Sequence, residues 1–193
     1  MIDVSRSELL GLLRQGGQIF NDWRVKHEDA VIDLSGADLS GLDLEEVFLS
    51  GANLVGTDFS HTSLRNAVLS GAYLKNAQFV AADLTGALFG PPDLIDSTLA
   101  LSPLGRRTNW GAELEGAVFT GATLEGTSFR EAPLDGVDLR GCDLSTLDLR
   151  GTNLADAVVD AMPEPRERTS GVFSMVTPND DQFGNTWITV RWT

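Results

Sequence analysis

The 193-residue sequence has little cysteine, little positive charge and no long apolar segment, and each shortage excludes a class of protein. A single cysteine, Cys142, rules out an internal disulfide framework and fits a reducing compartment. The 14 basic residues stand against 28 acidic ones, and the net charge of −14 argues against binding nucleic acid or anionic membranes. No stretch approaches the roughly 18 apolar residues of a membrane helix, and the N-terminus has no apolar run that reads as a signal peptide. We therefore expect a cytoplasmic protein.

Recognisable catalytic and metal-binding patterns are also lacking. His27 and His61 are far apart and have no cysteine or carboxylate partner at the spacing of a metal site. The sequence contains no glycine-rich phosphate loop and no nucleophile elbow. We predict no enzyme activity, no metal and no cofactor.

A period of five residues dominates what is present. From Leu34 to Val159 every fifth residue is large and apolar, and only Asn109 breaks the series of 26 positions. A smaller residue, most often alanine, lies two positions before each large one, and Asp or Asn lies between the two in eleven units. Glycine follows two positions after the large residue in thirteen units. This period fits neither an α-helix nor a flat strand, and it indicates units that each make one short side and one corner of a coil.

The pattern Ala-Asp/Asn-Leu-x-Gly resembles the pentapeptide-repeat family, and the resemblance covers residues 32–161. It implies an all-β solenoid, a right-handed quadrilateral β-helix with four pentapeptides in each coil. On that basis 26 units make about 6.5 coils, or roughly 31 Å at a strand spacing of ~4.8 Å.

Segments at both ends differ from the repeat. Residues 1–31 are predicted to form an N-terminal helical cap, with a capping box at Ser5 and Glu8 and a second short helix over 19–26. Residues 162–193 are predicted to be a linker and a β-hairpin-like extension, which pairs with the edge of the last coil or lies along the body.

The repeat is irregular over 90–110, and we expect residues 105–110, with Arg106 and Arg107, to bulge outward as a loop. In the family, gyrase-protecting members carry functional loops on their coils. Whether this loop is functional or only a tolerated irregularity stays open at this point.

If four units make one coil, residues twenty apart share a face, and the four faces differ in charge. The first face, which begins at Ile32, has seven acidic residues against Lys75. Its candidate partner-binding residues are Asp33, Asp93, Asp96, Glu113, Glu115 and Asp135. The fourth face, which begins at Val47, has a net charge of +1 and an outward apolar stripe, consisting of Phe48, Val68, Leu88 and Trp110. Such a stripe is expected to be covered by the N-terminal helix, the C-terminal hairpin or a second chain.

These features predict a non-catalytic β-helix that binds a protein partner. The resemblance to gyrase-protecting members implies an acidic mimic of DNA that binds and modulates or protects DNA gyrase or topoisomerase, as in antibiotic resistance. The alternative is a regulatory or scaffolding module with a partner other than gyrase. The gyrase-protecting members end in a helix that dimerises the rod, whereas this chain ends in strand-like runs, so a homodimer is left open.

Overall fold

The computed structural model describes residues 4–91 and 110–160. Two helices, α1 (Arg6–Leu13) and α2 (Gly17–Lys26), precede a β-helix. In the coils, each five-residue unit contributes one residue to a parallel bridge with the unit twenty residues further on, as in Asp33 with Asn53 and Asn53 with Tyr73. Bridges of this kind join all four faces of the coils that lie between residues 32 and 91. The observed architecture is therefore a β-helical solenoid, as the resemblance to the pentapeptide-repeat family implies.

The unit that begins at Ile32 shows how the sequence makes a corner. The Asp33 carboxylate accepts hydrogen bonds from the backbone N–H and the hydroxyl of Ser35, at 3.0 and 2.8 Å. Gly36 then adopts a left-handed conformation with φ of 64°, which costs glycine little. The N–H of Ala37 closes the corner on the carbonyl of Leu34 at 2.9 Å. Asp and Asn at this position of the repeat thus bond local backbone groups at the corners.

Inward-pointing side chains form one continuous core. The large residues of the first coil, Leu34, Leu39, Leu44 and Leu49, are all fully buried. Further along, phenylalanine rings stack in two columns, with centroids 5.0 Å apart for Phe59 and Phe79 and 4.8 Å apart for Phe89 and Phe129. Offset and edge-to-face aromatic pairs add to the stabilisation that burial provides.

The predicted count of about 6.5 coils treats residues 92–111 as one coil of the stack, but the described coils pair directly across that segment. Tyr73 pairs with Glu113, forty residues away, and Leu88 likewise pairs with Ser128. The N–H of Ala112 closes a corner on the carbonyl of Phe89 at 2.7 Å, so the coil that ends near residue 90 lies directly on the coil that begins near 111. The described coils therefore number about five and a half, roughly 26 Å at ~4.8 Å per coil, rather than 6.5.

Two glycines mark the points where the chain leaves and rejoins the stack. A Cβ atom at Gly90 would overlap the backbone carbonyl of Arg130, and one at Gly111 would overlap that of Glu131. The segment between them equals the length of one coil, which is why the period of five stays in phase across it. The expected loop at 105–110, with Arg106 and Arg107, lies outside the described residues, as do Asp93 and Asp96.

Helices α1 and α2 contact the upper edge of the first coil through specific side chains. Asn21 accepts a hydrogen bond from the N–H of Phe48 and donates one to the carbonyl of Glu46, both at 2.8 Å. Arg24 donates to the carbonyl of Ser50, and Arg6 donates to that of Ser35. Within the stack the equivalent N–H of Val68 bonds to the carbonyl of Val47 in the coil above. Side chains of the helices thus replace hydrogen bonds that a preceding coil would make.

Pairing between coils is sparser after residue 111. There the described coils are bridged by Val118 with Asp138, Ser128 with Asp148 and Asp138 with Val158, all on the second and fourth faces. On the first face, Pro133 occupies the position whose N–H would bond to the coil above, and proline has no N–H to donate.

Candidate partner-binding surface

Successive bridges make one column of the outward residues on the first face. Asp33, Asn53, Tyr73 and Glu113 follow one another down this column. The described part of the face has five acidic residues against Lys75, a net charge of −4 rather than −6, because Asp93 and Asp96 lie outside it. Among the predicted residues, Asp33, Glu113, Glu115 and Asp135 do share this face.

Most aspartates of the coils have a structural role. The Oδ1 atoms of Asp38, Asp83 and Asp138 each accept the N–H of the residue two positions on, at 3.0 to 3.1 Å. Hydrogen bonds and ion pairing from the Arg140 side chain also lower the pKa of Asp138 to about 2. Because the corner uses these carboxylates, their acidity alone does not indicate a binding surface.

Acidic residues that the corners do not need are concentrated on two faces. On the first face these are Glu113, Glu115, Asp135 and Asp156, and on the third face, which begins at Leu42, they are Glu45, Glu46 and Glu125. Glu115 pairs with Lys75 at 2.9 Å, and both side chains are more than half exposed, so the pair is weak. Glu113 and Asp135 form no ion pair within the described structure.

Two exposed aromatic side chains distinguish the first face from the third. Tyr73 is 49% exposed and Trp110 is 73% exposed. Both line a shallow groove together with Glu113, Glu131 and the corner glycines Gly51, Gly71 and Gly111. The glycines leave backbone as the floor of the groove, and carboxylates stand beside the aromatic rings. Exposed aromatic residues of this kind are enriched at protein interfaces.

The structure places Trp110 away from the apolar stripe in which the sequence grouped it. Trp110 directly precedes Gly111, where the chain re-enters the stack at the corner between the fourth and first faces, and it lines the groove beside Tyr73. The remaining stripe residues do share one column, in which Phe48 pairs with Val68 and Val68 with Leu88.

That stripe on the fourth face is largely buried within the single chain. Val68 is 2% exposed, and the neighbouring outward residues Ser50 and Ser70 are 1% and 0% exposed. Helix α2 accounts for part of this burial through the contacts of Asn21 and Arg24. The described part of the fourth face has no net charge. The first face is therefore the better candidate for binding a partner.

Over residues 4–91 and 110–160, no group of three His, Cys, Asp or Glu side chains is arranged to hold a metal ion. Neither α1 nor α2, the two helices in the described ranges, is long and apolar enough to cross a membrane.

This geometry defines the chain as a β-helical repeat protein. It belongs to the pentapeptide-repeat family. One family model, described as pentapeptide repeats, matches residues 32–71 and 52–90. A second model with the same description matches residues 110–153. Together the matches cover more than half of the chain, and they stop where the stack is interrupted.

The chain also matches solved structures, at 20 to 26% identity for the three described here. The pentapeptide repeat protein Rfr23 from the cyanobacterium Cyanothece 51142 is 24% identical, with a TM-score of 0.42, and the match covers 72% of this chain and 97% of that one. HetL, involved in heterocyst differentiation regulation in Nostoc sp. strain PCC 7120, is 26% identical, with a TM-score of 0.31 and coverage of 67% and 55%. The plasmid-mediated fluoroquinolone resistance protein QnrB1 is 20% identical, with a TM-score of 0.23 and coverage of 66% and 67%. None of the curated proteins compared with the chain matches it.

Proposed function

We propose that this chain is a non-catalytic β-helix that binds a protein partner through its first face, and that DNA gyrase is the partner to test first. In this proposal the acidic rod occupies the place of duplex DNA on gyrase and thereby modulates or protects the enzyme. The choice of the first face rests on the groove at Tyr73 and Trp110, with its unpaired acidic neighbour Glu113. The choice of gyrase rests on the negative charge of the coils.

Charge density supports the mimicry of DNA. The described coils carry 17 acidic residues against five basic ones, a net charge of −12. Over roughly 26 Å this is about one charge per 2.2 Å, compared with one per ~1.7 Å of duplex DNA. A basic surface that binds DNA would therefore attract these coils about as strongly as it attracts duplex DNA.

The exposed aromatic residues favour an alternative, a regulatory or scaffolding module with a partner other than gyrase. Tyr73 and Trp110 offer a large contact area that electrostatic mimicry of a phosphate backbone does not require. Anchors of this type provide much of the binding energy at protein interfaces. Either partner would use the same face, so both forms of the proposal depend on one surface.

Two variants with the same change in charge test which face matters. The first-face variant carries Glu113→Gln, Glu115→Gln and Asp135→Asn, and the third-face control carries Glu45→Gln, Glu46→Gln and Glu125→Gln. The assay is supercoiling by purified gyrase, with and without a gyrase poison, as each protein is titrated. We expect inhibition or protection at micromolar protein, a loss of roughly tenfold or more in potency for the first-face variant, and a potency near that of the unaltered chain for the control.

Two outcomes of the gyrase assay would contradict different parts of the proposal. If the unaltered chain has no effect at tens of micromolar, gyrase is removed as the partner. If the third-face variant loses potency instead, the first face is the wrong surface. Binding to any isolated partner would then be compared between Tyr73→Ser with Trp110→Ser and the unaltered chain.

We also infer that α1 and α2 cap the first coil. Buried Phe20 and Leu13 cover the end of the core, while Asn21, Arg24 and Arg6 bond to the backbone edge of the first coil. Such an end must be covered because it otherwise exposes core and unpaired backbone groups.

A further inference from the structure

The opposite end of the core is open in the described structure. Residues 142–160 form the last ring, and the large residues that point inward there are all partly exposed: Leu144, Leu149, Leu154 and Val159. Their counterparts one coil earlier, Leu124, Phe129, Leu134 and Leu139, are 0 to 2% exposed. The last ring thus leaves a cluster of apolar side chains in contact with solvent.

The backbone edge of this ring is also open. The N–H groups of Leu34, Leu39, Leu44 and Leu49 in the first coil all bond to carbonyls of the next coil. One coil earlier, the N–H groups of Phe129 and Leu139 bond to the carbonyls of Asp148 and Val158, whereas those of Leu149 and Val159 in the last ring have no backbone partner among the described residues. An exposed edge above an exposed core favours the addition of another segment or another chain.

We propose that residues 161–193 of the same chain cover this end. The segment follows directly from Asp160, which lies in the last ring, so it starts beside the surface that needs cover. It has 33 residues, enough to cross the end of the coil, and it contains Val172, Phe173, Val176, Trp187, Ile188, Val190 and Trp192. Burial of such residues against the open core contributes about 25 cal/mol per Å² of apolar surface.

Charge favours this segment over a second copy of the chain. Residues 161–193 contain four acidic and three basic residues and so are almost neutral. The last ring carries Asp143, Asp148, Asp156 and Asp160 against Arg150. Two copies meeting end to end would bring these acidic rings together, whereas the C-terminal segment adds little charge.

Cys142 provides a probe of this end. Its side chain points inward in the last ring, is half-buried, and donates a hydrogen bond from Sγ to the carbonyl of Phe119 at 3.0 Å. As it is the one cysteine in the sequence, the rate of thiol labelling reports on a single site.

The experiment compares labelling rates of full-length chains. The test variant carries Trp187→Ser, Ile188→Ser and Trp192→Ser, and the control carries Ser170→Ala, Asn179→Ser and Gln182→Ser in the same segment. We expect labelling of the unaltered chain and the control to be roughly tenfold or more slower than labelling of the test variant, because the cover must open before the reagent reaches the thiol. Sedimentation at two concentrations accompanies the labelling, and the expected species is a monomer.

Three results would overturn the proposal. The first is a monomeric unaltered chain that labels as fast as the test variant, because its end is then uncovered. The second is a dimer whose protection disappears on dilution, because a second copy is then the cover. The third needs no variant: rapid hydrogen exchange at the amides of Leu149 and Val159 in the full-length chain, where slow exchange is expected.

Discussion

The coils before the interruption and those after it use the same five-residue repeat but are held together differently. Between residues 32 and 91 every face is bridged, and the corner carboxylates of Asp33, Asp38 and Asp83 accept from serine or threonine hydroxyls. After residue 111 bridges remain on two faces. There Asp138 and Asp148 pair instead with Arg140 and Arg150, at 2.6 and 2.7 Å.

This difference shows that the repeat determines the core but does not determine how tightly coils are joined. The inward residues satisfy the same apolar requirement in both regions. Pairing depends on residues that the repeat leaves free, such as Pro133, and the hydrogen bonds at the edge of the first coil depend on helices outside the repeat. We therefore expect the two regions to respond differently to substitution.

The largest expected effect comes from separating the two regions at their shared aromatic stack. Phe119 stacks on Phe79 with centroids 4.7 Å apart and meets Phe89 and Phe129 edge to face. We expect Phe119→Ala to lower the free energy of unfolding by about 4 kcal/mol, and Phe119→Leu by about 1 kcal/mol. Urea unfolding measures both, and equal small losses would contradict direct stacking across the interruption.

The next effect concerns the glycine at which the chain leaves the stack. Gly90→Ala places a methyl group against the backbone of Arg130, which cannot move without separating the coils. We expect a loss of about 3 kcal/mol. The matched control is Gly121→Ala, where φ is +68° but the space is open, and about 1 kcal/mol is expected there. A tolerated alanine at position 90 would show that the coils are not in close contact.

The two ends can be compared through two asparagines. Asn21 is 4% exposed and bonds to the first coil at Phe48 and Glu46, so Asn21→Ala leaves an N–H without a partner. We expect it to cost about 2 kcal/mol. In the last ring Asn153 accepts only the N–H of Ala155, at an exposed corner, and Asn153→Ala is expected to cost less than about 1 kcal/mol. Thermal unfolding of both variants measures the difference in lost stability. Equal losses would contradict the conclusion that Asn21 stabilises the edge of the first coil.

The smallest expected effect is a dependence on acid pH that is greater in the later coils. The pKa of Asp138 is about 2 in the folded chain, below its ordinary value of 3.8. The ionised carboxylate therefore stabilises the fold above about pH 4, and this contribution is lost as the pH falls toward about 2. After allowance for solvent screening we expect about 1 kcal/mol.

The matched variants for this effect are Asp138→Asn and Asp38→Asn, since Asp38 pairs with the Ser40 hydroxyl rather than with an arginine. Asp138→Asn should flatten the fall in stability between pH 4 and 2 more than Asp38→Asn does. The stability of each variant across that range is the measurement. Equal slopes would mean that the arginine pairs add nothing to the later coils.

The sequence could predict the inward columns because burial enforces one residue type at one spacing. It could also predict that Ser5 caps the start of a helix, where its hydroxyl accepts the N–H of Glu8 at 3.3 Å, and that a helix ends at Lys26. The Asp and Asn positions followed from their capacity to bond nearby backbone.

The register of the stack could not be predicted, because the interruption has the length of one coil and preserves the phase. Asn109 was the one break in the series of large residues, but a polar residue alone does not show where a chain leaves a stack. The groove at Tyr73 and Trp110 was missed for the same reason, since it exists only when residue 73 lies beside residue 113. The close approach of Gly90 to the backbone of Arg130 could not be predicted either, because it also depends on which coils are neighbours.

The most direct test of this account is therefore the partner of residue 73, because the proposed binding surface depends on it. In a Cys142→Ser background, Tyr73→Cys is combined with Glu113→Cys in one protein and with Asp93→Cys in another. A short thiol crosslinker that spans about 5 Å, the distance between neighbouring strands, is added to each folded protein. Because residue 73 lies beside residue 113, we expect rapid crosslinking of the 73–113 pair and little of the 73–93 pair. The reverse result would place residues 92–111 in the stack and contradict both the register and the groove.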